Sequence, residues 1–574
     1  MRAVRAKAWP WGWWVALGAV LGLSLALRLW GIKSGLPFVY NTDENSHFVN
    51  KAVAFFNQGD LNPHYFNNPP AFTYVLHAVF TVYYGGRTAV SHAVASDPTA
   101  IFVVARVVAA LLGTGAVWLL YLAGSRLVDR RVGLLAAALM GVSFLPVFYS
   151  HLALNDVPTL APVTLSLLGT AGILRLGRPI DYLMAGLGLG LACATKYTGG
   201  IVLLPLVAAA AAQFLAPGGR RSAVIGLIMA GLIAVLAFAV ANPYSVLDFT
   251  AFRNGLVHQS TVTDGGAGKL GQTGGAGIPY YLWALTWGLG WVPALAALGG
   301  AVALWWDERR LVALLVPGPL LFLIFMGSQG RYFGRWLMPA LPLICLLGAY
   351  AVLEFADRLG RRRPALRPTL VALAAVALCT QGLVHSIHDG LVLSRADTRN
   401  LTRTWLVAHI PEGSKIVVEP VVPNQWAQDI GRPSAVTANG DRWAKFPTSR
   451  SQIASDGTLK LAAGPIVYIE DYERYTRPEL VDLYESNGYC WVISGSTQSG
   501  RVQEASRQVP NAVAYYQRLA RQGIVAFRAS PFASGASPVS FNFDFSFDYY
   551  PLAYHRPGPV MTVYHLTHGG CAGS

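Results

Sequence analysis

Residues 100–122 read AIFVVARVVAALLGTGAVWLLYL. The run carries a single charge, Arg106, and a helix needs about 20 apolar residues to cross the hydrocarbon layer. It is followed by a basic turn holding Arg126, Arg130 and Arg131. Apolar runs of this kind recur along the chain, at 11–30, 100–122, 132–149, 157–176, 181–195, 199–216, 222–241, 281–304, 311–327, 335–355 and 368–387. These are eleven candidate spans. Composition agrees: of 574 residues 53% are hydrophobic and 13% charged, with mean hydropathy +0.42. Soluble domains carry about 25% charged residues, so a purely soluble enzyme is excluded. Disorder is excluded by the apolar content, and five cysteines are too few for a disulfide scaffold.

The formal charge is nonetheless +15. In a soluble chain that excess would suggest nucleic acid, but here it sorts by topology. With a cytoplasmic N-terminus, Arg2, Arg5, Lys7, Arg126, Arg130, Arg131, Arg175, Arg178, Arg220, Arg221, Arg309, Arg310, Arg358, Arg361, Arg362, Arg363 and Arg367 fall in short turns on one side. The other side holds Lys33, Lys51, Arg87, Lys196, Arg253, Lys269, Arg331 and Arg335, spread over longer loops. Basic residues in short loops mark the cytoplasmic face, so the excess implies no nucleic-acid partner. The apolar segment Ala71–Tyr84 is short and aromatic, which suits the interface; counting it as a span would reverse the charge bias. The N-terminal run reads as an uncleaved first span, because Arg28 lies within it and no small-residue cleavage site follows.

The expected architecture is an α-helical polytopic membrane protein with about 11 transmembrane helices and a C-terminal extracytoplasmic α/β domain. The transmembrane module covers 1–387, with a first outer loop at 31–99 and a flexible outer loop at 242–280. The outer domain covers 388–574. There, Lys415–Glu419, Ile466–Glu470 and Cys490–Ser494 read as strands, and Thr398–His409 and Ala512–Gln522 as helices. Phe541, Phe543, Phe545 and Phe547 alternate with polar residues and predict a half-buried strand. Cys193, Cys345 and Cys379 fall in spans as packing residues. Cys490 and Cys571 share the outer domain, where either a disulfide or two thiols fits.

Charged residues at the outer boundary are few, which makes them readable. Asp43-Glu44 follows the first span; carboxylates there can activate a hydroxyl or hold a cation, although an acidic pair also suits a helix first turn. Asp156 lies in the short turn His151–Pro158, where a carboxylate at the membrane boundary is costly without a partner. It also fits a helix cap before Pro158. Lys196 is a cation on the side that disfavours positive charge, and a snorkelling role fits it too. Arg331, Tyr332 and Arg335 lie at the mouth of spans nine and ten. A guanidinium fork suits phosphate as well as lipid headgroups. Together these residues compose a site for an anionic, lipid-linked group and a neutral nucleophile. No Cys/His cluster has zinc spacing, and Asp43-Glu44 could hold a divalent ion only with ligands from elsewhere, so no cofactor is expected with certainty. Gly266–Gly271 matches G-x-G-x-x-G but follows no strand and opens no βαβ unit; it reads as a flexible loop.

The order of these motifs resembles the GT-C superfamily of membrane glycosyltransferases, and within it the protein O-mannosyltransferase and aminoarabinose-transferase group. The resemblance rests on Arg28, Asp43-Glu44, Asn68-Pro69-Pro70, Ala105-Arg106-Val107, His151–Pro158, Gly190–Lys196, Arg331-Tyr332 before Met338–Pro342, and Asp397–Ile416. It implies transfer of a sugar from a polyprenyl-phosphate donor to an extracytoplasmic acceptor (a cell-envelope glycan, lipid or protein), with inversion. It assigns Asp43 to the acceptor nucleophile, with Glu44 and Asp156 as further acidic residues. Lys196, Arg331, Tyr332 and Arg106 fall on the donor phosphate, and His151 and Asn68 are weaker substrate-binding candidates. Asn68 stands where aminoarabinose transferases carry Lys, and the 242–280 loop is too short for the β-trefoil of eukaryotic mannosyltransferases. The alternative is a transporter or flippase of lipid-linked sugars. It would need polar residues along the bilayer midplane, whereas the spans here are nearly free of charge except at their ends.

Overall fold

The computed structural model describes residues 10–264, 270–272, 276–362, 364–437, 440–446, 451–453, 459–461 and 472–572. The predicted strand Ile466–Glu470 and most of the glycine-rich stretch 266–271 lie outside the described residues.

Among the described residues, eight helices are long and apolar enough to cross a membrane, and the bent pair Arg130–Val142 and Phe144–His151 makes up to nine. Two shorter apolar helices, Leu160–Leu176 and Pro179–Thr195, fall on two further expected spans. Each of the eleven apolar runs is therefore helical. Ala71–Tyr84 is a 14-residue helix. At 1.5 Å per residue it reaches only about 21 Å, too short for the hydrocarbon core.

Charged groups inside the helices are met by local acceptors or counter-ions. Arg28 is fully buried, and its Nη1 donates to the carbonyls of Ser24 at 3.0 Å and Gly141 at 2.9 Å. The basic turns carry their own counter-charges: Arg126 meets Asp181 at 3.1 Å and Arg131 meets Asp357 at 3.0 Å.

Small residues set the packing that matters for the site. A Cβ on Gly169 would lie 2.4 Å from the Ala185 nitrogen, and one on Gly188 would lie 2.3 Å from the Ser166 nitrogen. Leu160–Leu176 and Pro179–Thr195 thus touch backbone to backbone, as small residues permit in membranes. Their shared end carries Asp156 before one helix and Lys196 after the other.

Beyond the last long helix, Arg367–Leu393, the helix Thr398–His409 begins with Asp397 as its cap; Asp397 Oδ1 accepts from the Arg399 nitrogen at 2.8 Å. The strands are β1 (Lys415–Val418), β2 (Ala444–Lys445), β3 (Ser451–Ile453), β4 (Leu459–Leu461), β5 (Trp491–Gly495), β6 (Gly523–Ala529) and β7 (Met561–Leu566). Five form one sheet in the order β2-β1-β5-β7-β6, with β1 parallel to β2 and β5, and β7 antiparallel to β5 and β6. Alternation sends Ile416, Val418, Ile493 and Val563 to one face, against Leu406 and Ile410. Val417, Val492 and Leu566 face the other way, against Tyr484, Tyr515 and Leu519. A disulfide joins Cys490 to Cys571 beside that second core.

The phenylalanine repeat does not form a strand. Asn542 Oδ1 accepts from the Phe545 nitrogen at 3.1 Å and starts a helical turn, Phe545–Asp548. Asn competes for backbone donors in this way. The rings then pack in different directions, Phe545 on Trp283 and Trp287, Phe543 on Phe333. A period of two cannot distinguish this from a sheet face.

Candidate active site

Asp43 and Glu44 begin a π-helical turn, Glu44–Phe48. Such turns are rare and concentrate at functional sites. Adjacent residues on a helix do not face each other, so the two carboxylates diverge. Glu44 points into the bundle and is fully buried. Its Oε1 and Oε2 accept from Arg106 Nε and Nη2, both at 2.8 Å, and Oε1 also accepts from the Ala153 nitrogen at 2.9 Å. Arg106 Nη1 donates to the carbonyls of Ile32 at 2.8 Å and Ser34 at 2.9 Å. Glu44 and Arg106 therefore form a closed clamp between the first loop, the helix Thr99–Leu127 and the turn that leads to Asp156. Arg106 is committed to Glu44, and the Asp43-Glu44 pair does not converge on one cation.

Asp43 faces the other way, with its side chain 40% exposed. Arg335 Nη2 donates to Asp43 Oδ2 at 2.7 Å, and Arg335 Nε lies 3.9 Å from Asp156 Oδ2. Lys196 Nζ donates to Asp156 Oδ1. The guanidinium of Arg335 lies 4.8 Å from the Phe333 ring centroid and 5.8 Å from that of Tyr149; Arg331 lies 5.7 Å from Phe333. Asp43, Asp156, Lys196, Arg331 and Arg335 thus share one end of the bundle, three cations to two carboxylates. Among the described residues, no three His, Cys, Asp or Glu side chains are placed to hold a metal ion.

The remaining expected residues sit around this cluster. Asn68 Nδ2 donates to the Tyr65 hydroxyl at 2.9 Å, Tyr65 stacks on His47 with centroids 4.7 Å apart, and His47 Nε2 lies 3.8 Å from Asp43 Oδ1. These two rings connect Asn68 to Asp43. Burial holds the His47 imidazole below its ordinary value, and Asp43 partly opposes that shift. Tyr332 is buried against Tyr280 and Tyr281, and its carbonyl accepts from Gln272. His151 is buried, with ring nitrogens facing the Phe148 carbonyl at 3.1 Å and the Trp30 carbonyl at 2.9 Å; Asp389 lies 3.7 Å away.

Arg335, which the sequence places beside Arg331 at the mouth of spans nine and ten without giving it a role, is central to the cluster. It was visible only as one of two arginines, four residues apart, in a short turn. His47 gave a weaker signal, four residues after Asp43 on the same helical face.

Residues 69–246 match the family described as dolichyl-phosphate-mannose-protein mannosyltransferase. The fold is that of the oligosaccharyltransferase AglB from Archaeoglobus fulgidus. The apo form is similar at TM-score 0.51 and 14% identity, over 91% of this chain and 74% of that one. The same enzyme with an inhibitory peptide and a dolichol-phosphate is similar at TM-score 0.50 and 13% identity, over 93% and 75%. ArnT from Cupriavidus metallidurans bound to undecaprenyl phosphate shows TM-score 0.43 and 16% identity, over 70% and 73%. No curated protein matches the sequence. The described helices make the chain a multi-pass membrane protein with the fold of that oligosaccharyltransferase.

Proposed function

We propose that the protein transfers a sugar from a polyprenyl-phosphate donor to a hydroxyl acceptor on the extracytoplasmic side, with inversion. The observation that carries this reading is the convergence of Asp43, Asp156, Lys196 and Arg335, drawn from four distant parts of the chain, at one end of the bundle. In the proposed step the acceptor oxygen bonds to the anomeric carbon as the bond to the donor phosphate breaks. The electron pair stays on the phosphate and the acceptor proton passes to Asp43. Lys196, Arg331 and Arg335 are suited to stabilise the developing phosphate charge, because fixed cations cost no reorganisation during the step. Asp43 is the base in this reading because it is the half-exposed carboxylate of the pair; Glu44 holds its turn in place. The basic turns support an N-terminus in the cytoplasm and a C-terminal sheet region outside. We assign residues 1–387 to the catalytic module and 388–574 to the outer domain. Donor chemistry follows the matched family's name, and the acceptor is a glycan, lipid or protein of the cell envelope.

Asp43→Asn tests the reading. The variant should insert and fold normally, co-purify with polyprenyl phosphate as the wild type does, and lose at least 1,000-fold in transfer, about 4 kcal/mol of barrier. Wild-type transfer by folded Asp43→Asn would remove Asp43 from the mechanism.

A further inference from the structure

The segment that leads into Asp43 is held by the C-terminal region. Phe38 is buried in the same apolar core as Leu406, Ile410, Ile416, Trp426 and Trp443. A first-loop residue thus completes the core of the sheet region. The Arg403 guanidinium covers its ring at 5.1 Å and is itself fixed by the carbonyls of Trp426 at 2.7 Å and Gln428 at 2.8 Å.

Two residues on, Tyr40 is gripped more closely. The Arg399 guanidinium lies 3.6 Å from its ring centroid. Arg399 is held flat by a two-point contact with Asp397, Nε to Oδ1 at 2.9 Å and Nη2 to Oδ2 at 2.7 Å. The Tyr40 hydroxyl donates to Asn400 Oδ1, and Asn400 Nδ2 donates to the carbonyls of Gly35 at 3.3 Å and Leu36 at 3.4 Å. The base of this grip is itself fixed. The Thr398 nitrogen donates to the Pro557 carbonyl at 3.0 Å and its hydroxyl to that of Pro559 at 2.6 Å. Gly558 has φ +100, and a Cβ there would lie 2.1 Å from the Thr398 hydroxyl.

Asp43 lies three residues beyond Tyr40 and one before Glu44. Its turn is thus tied at both ends, by the C-terminal region through Tyr40 and by the bundle through Glu44. We infer that Arg399 is a positioning residue for Asp43, acting through the face of Tyr40, so that the C-terminal region is part of the scaffold of the active site. A stacked guanidinium is stiff and partly desolvated, and small misplacements of a reacting group cost large factors in rate. The inference rests on the reading of Asp43 as the base.

Hydrogen exchange on purified full-length protein tests it without a substrate. Arg399→Gln and Tyr40→Leu should speed exchange of amides 41–48 at least tenfold. Amides of 99–127 and 491–495 should keep wild-type rates. Tyr40→Phe, which keeps the ring, should stay within about threefold of wild type at 41–48. In transfer assays with the donor that the wild type uses, Arg399→Gln should lower kcat tenfold or more with donor KM within twofold. Wild-type exchange at 41–48 in both disruptive variants would overturn the inference, as would faster exchange in Tyr40→Phe equal to that in Tyr40→Leu. Faster exchange at 41–48 together with wild-type transfer by Asp43→Asn would leave the mechanical tie standing and remove the reading of Asp43.

Discussion

The clamp between Glu44 and Arg106 gives the sharpest quantitative expectation. Glu44 is fully buried, and Arg106 is 2% exposed. Glu44→Gln keeps the shape but removes the charge, so Arg106 retains two carbonyl acceptors and loses its counter-ion. Breaking a buried ion pair by removing one partner costs about 3–5 kcal/mol. Replacing both partners costs far less, because no uncompensated charge remains. The double variant Glu44→Gln, Arg106→Met should therefore be more stable than Glu44→Gln alone, with a coupling of about 2–3 kcal/mol. For a chain of this size about 1–2 °C of melting temperature corresponds to each kcal/mol, extending the trend of smaller domains. Thermal unfolding in detergent, followed by the fraction that stays monodisperse, should show Glu44→Gln lower by about 3–10 °C and the double variant partly restored. Additive losses in the cycle, or a Glu44→Gln protein that melts with the wild type, would refute the clamp.

Other expectations follow from the same contacts. Burial pushes the Glu419 carboxyl up to about 7 from 4.5, although Oε2 accepts from Ser494 and the Gly495 nitrogen. The folded state therefore holds its proton more tightly than the unfolded chain, so stability falls as pH rises from about 4.5 to about 7 and stays lower above. Glu419→Gln should gain up to about 3 kcal/mol at pH 8 and almost nothing at pH 4, which melting curves at the two pH values would check. Arg331→Ala should weaken use of the polyprenyl-phosphate donor 10- to 100-fold, the worth of a charge-assisted contact. Equal loss of donor and acceptor use would count against a phosphate role. Cys571→Ser opens a crosslink spanning 81 residues. It should cost up to about 4–5 kcal/mol by loop entropy and abolish the mobility difference between reduced and non-reduced protein. A chain ending near residue 388 should lose transfer, because Phe38 and Tyr40 lose their cover.

Much of the fold is legible in the sequence. Apolar runs of a length set by the bilayer locate each candidate crossing helix among the described residues, since lipid leaves the backbone no partner except the helix itself. Helix Thr398–His409 and strands β1 and β5 are equally plain, because capping and alternation are local. The phenylalanine repeat misleads for the opposite reason: one side-chain bond from Asn542 overrides a period of two.

The site is legible as a set of residues and not as an arrangement. Chain order alone makes Asp43, Glu44, Asp156, Lys196 and Arg331 charges at outer span ends, with Arg106 inside the second span. Which charges meet is decided by helix packing and by the direction of each side chain. One helical step separates Asp43, turned toward Arg335, from Glu44, sealed against Arg106. Close approach at Gly169 and Gly188 brings Lys196 to Asp156 across 40 residues. The tie between Tyr40 and Arg399 spans more than 350 residues, and no local pattern encodes it. Sequence determined the membrane architecture because hydrophobicity acts residue by residue. Only the tertiary structure decided the roles of the charges, because a charge in low dielectric is defined by the partner that folding brings to it.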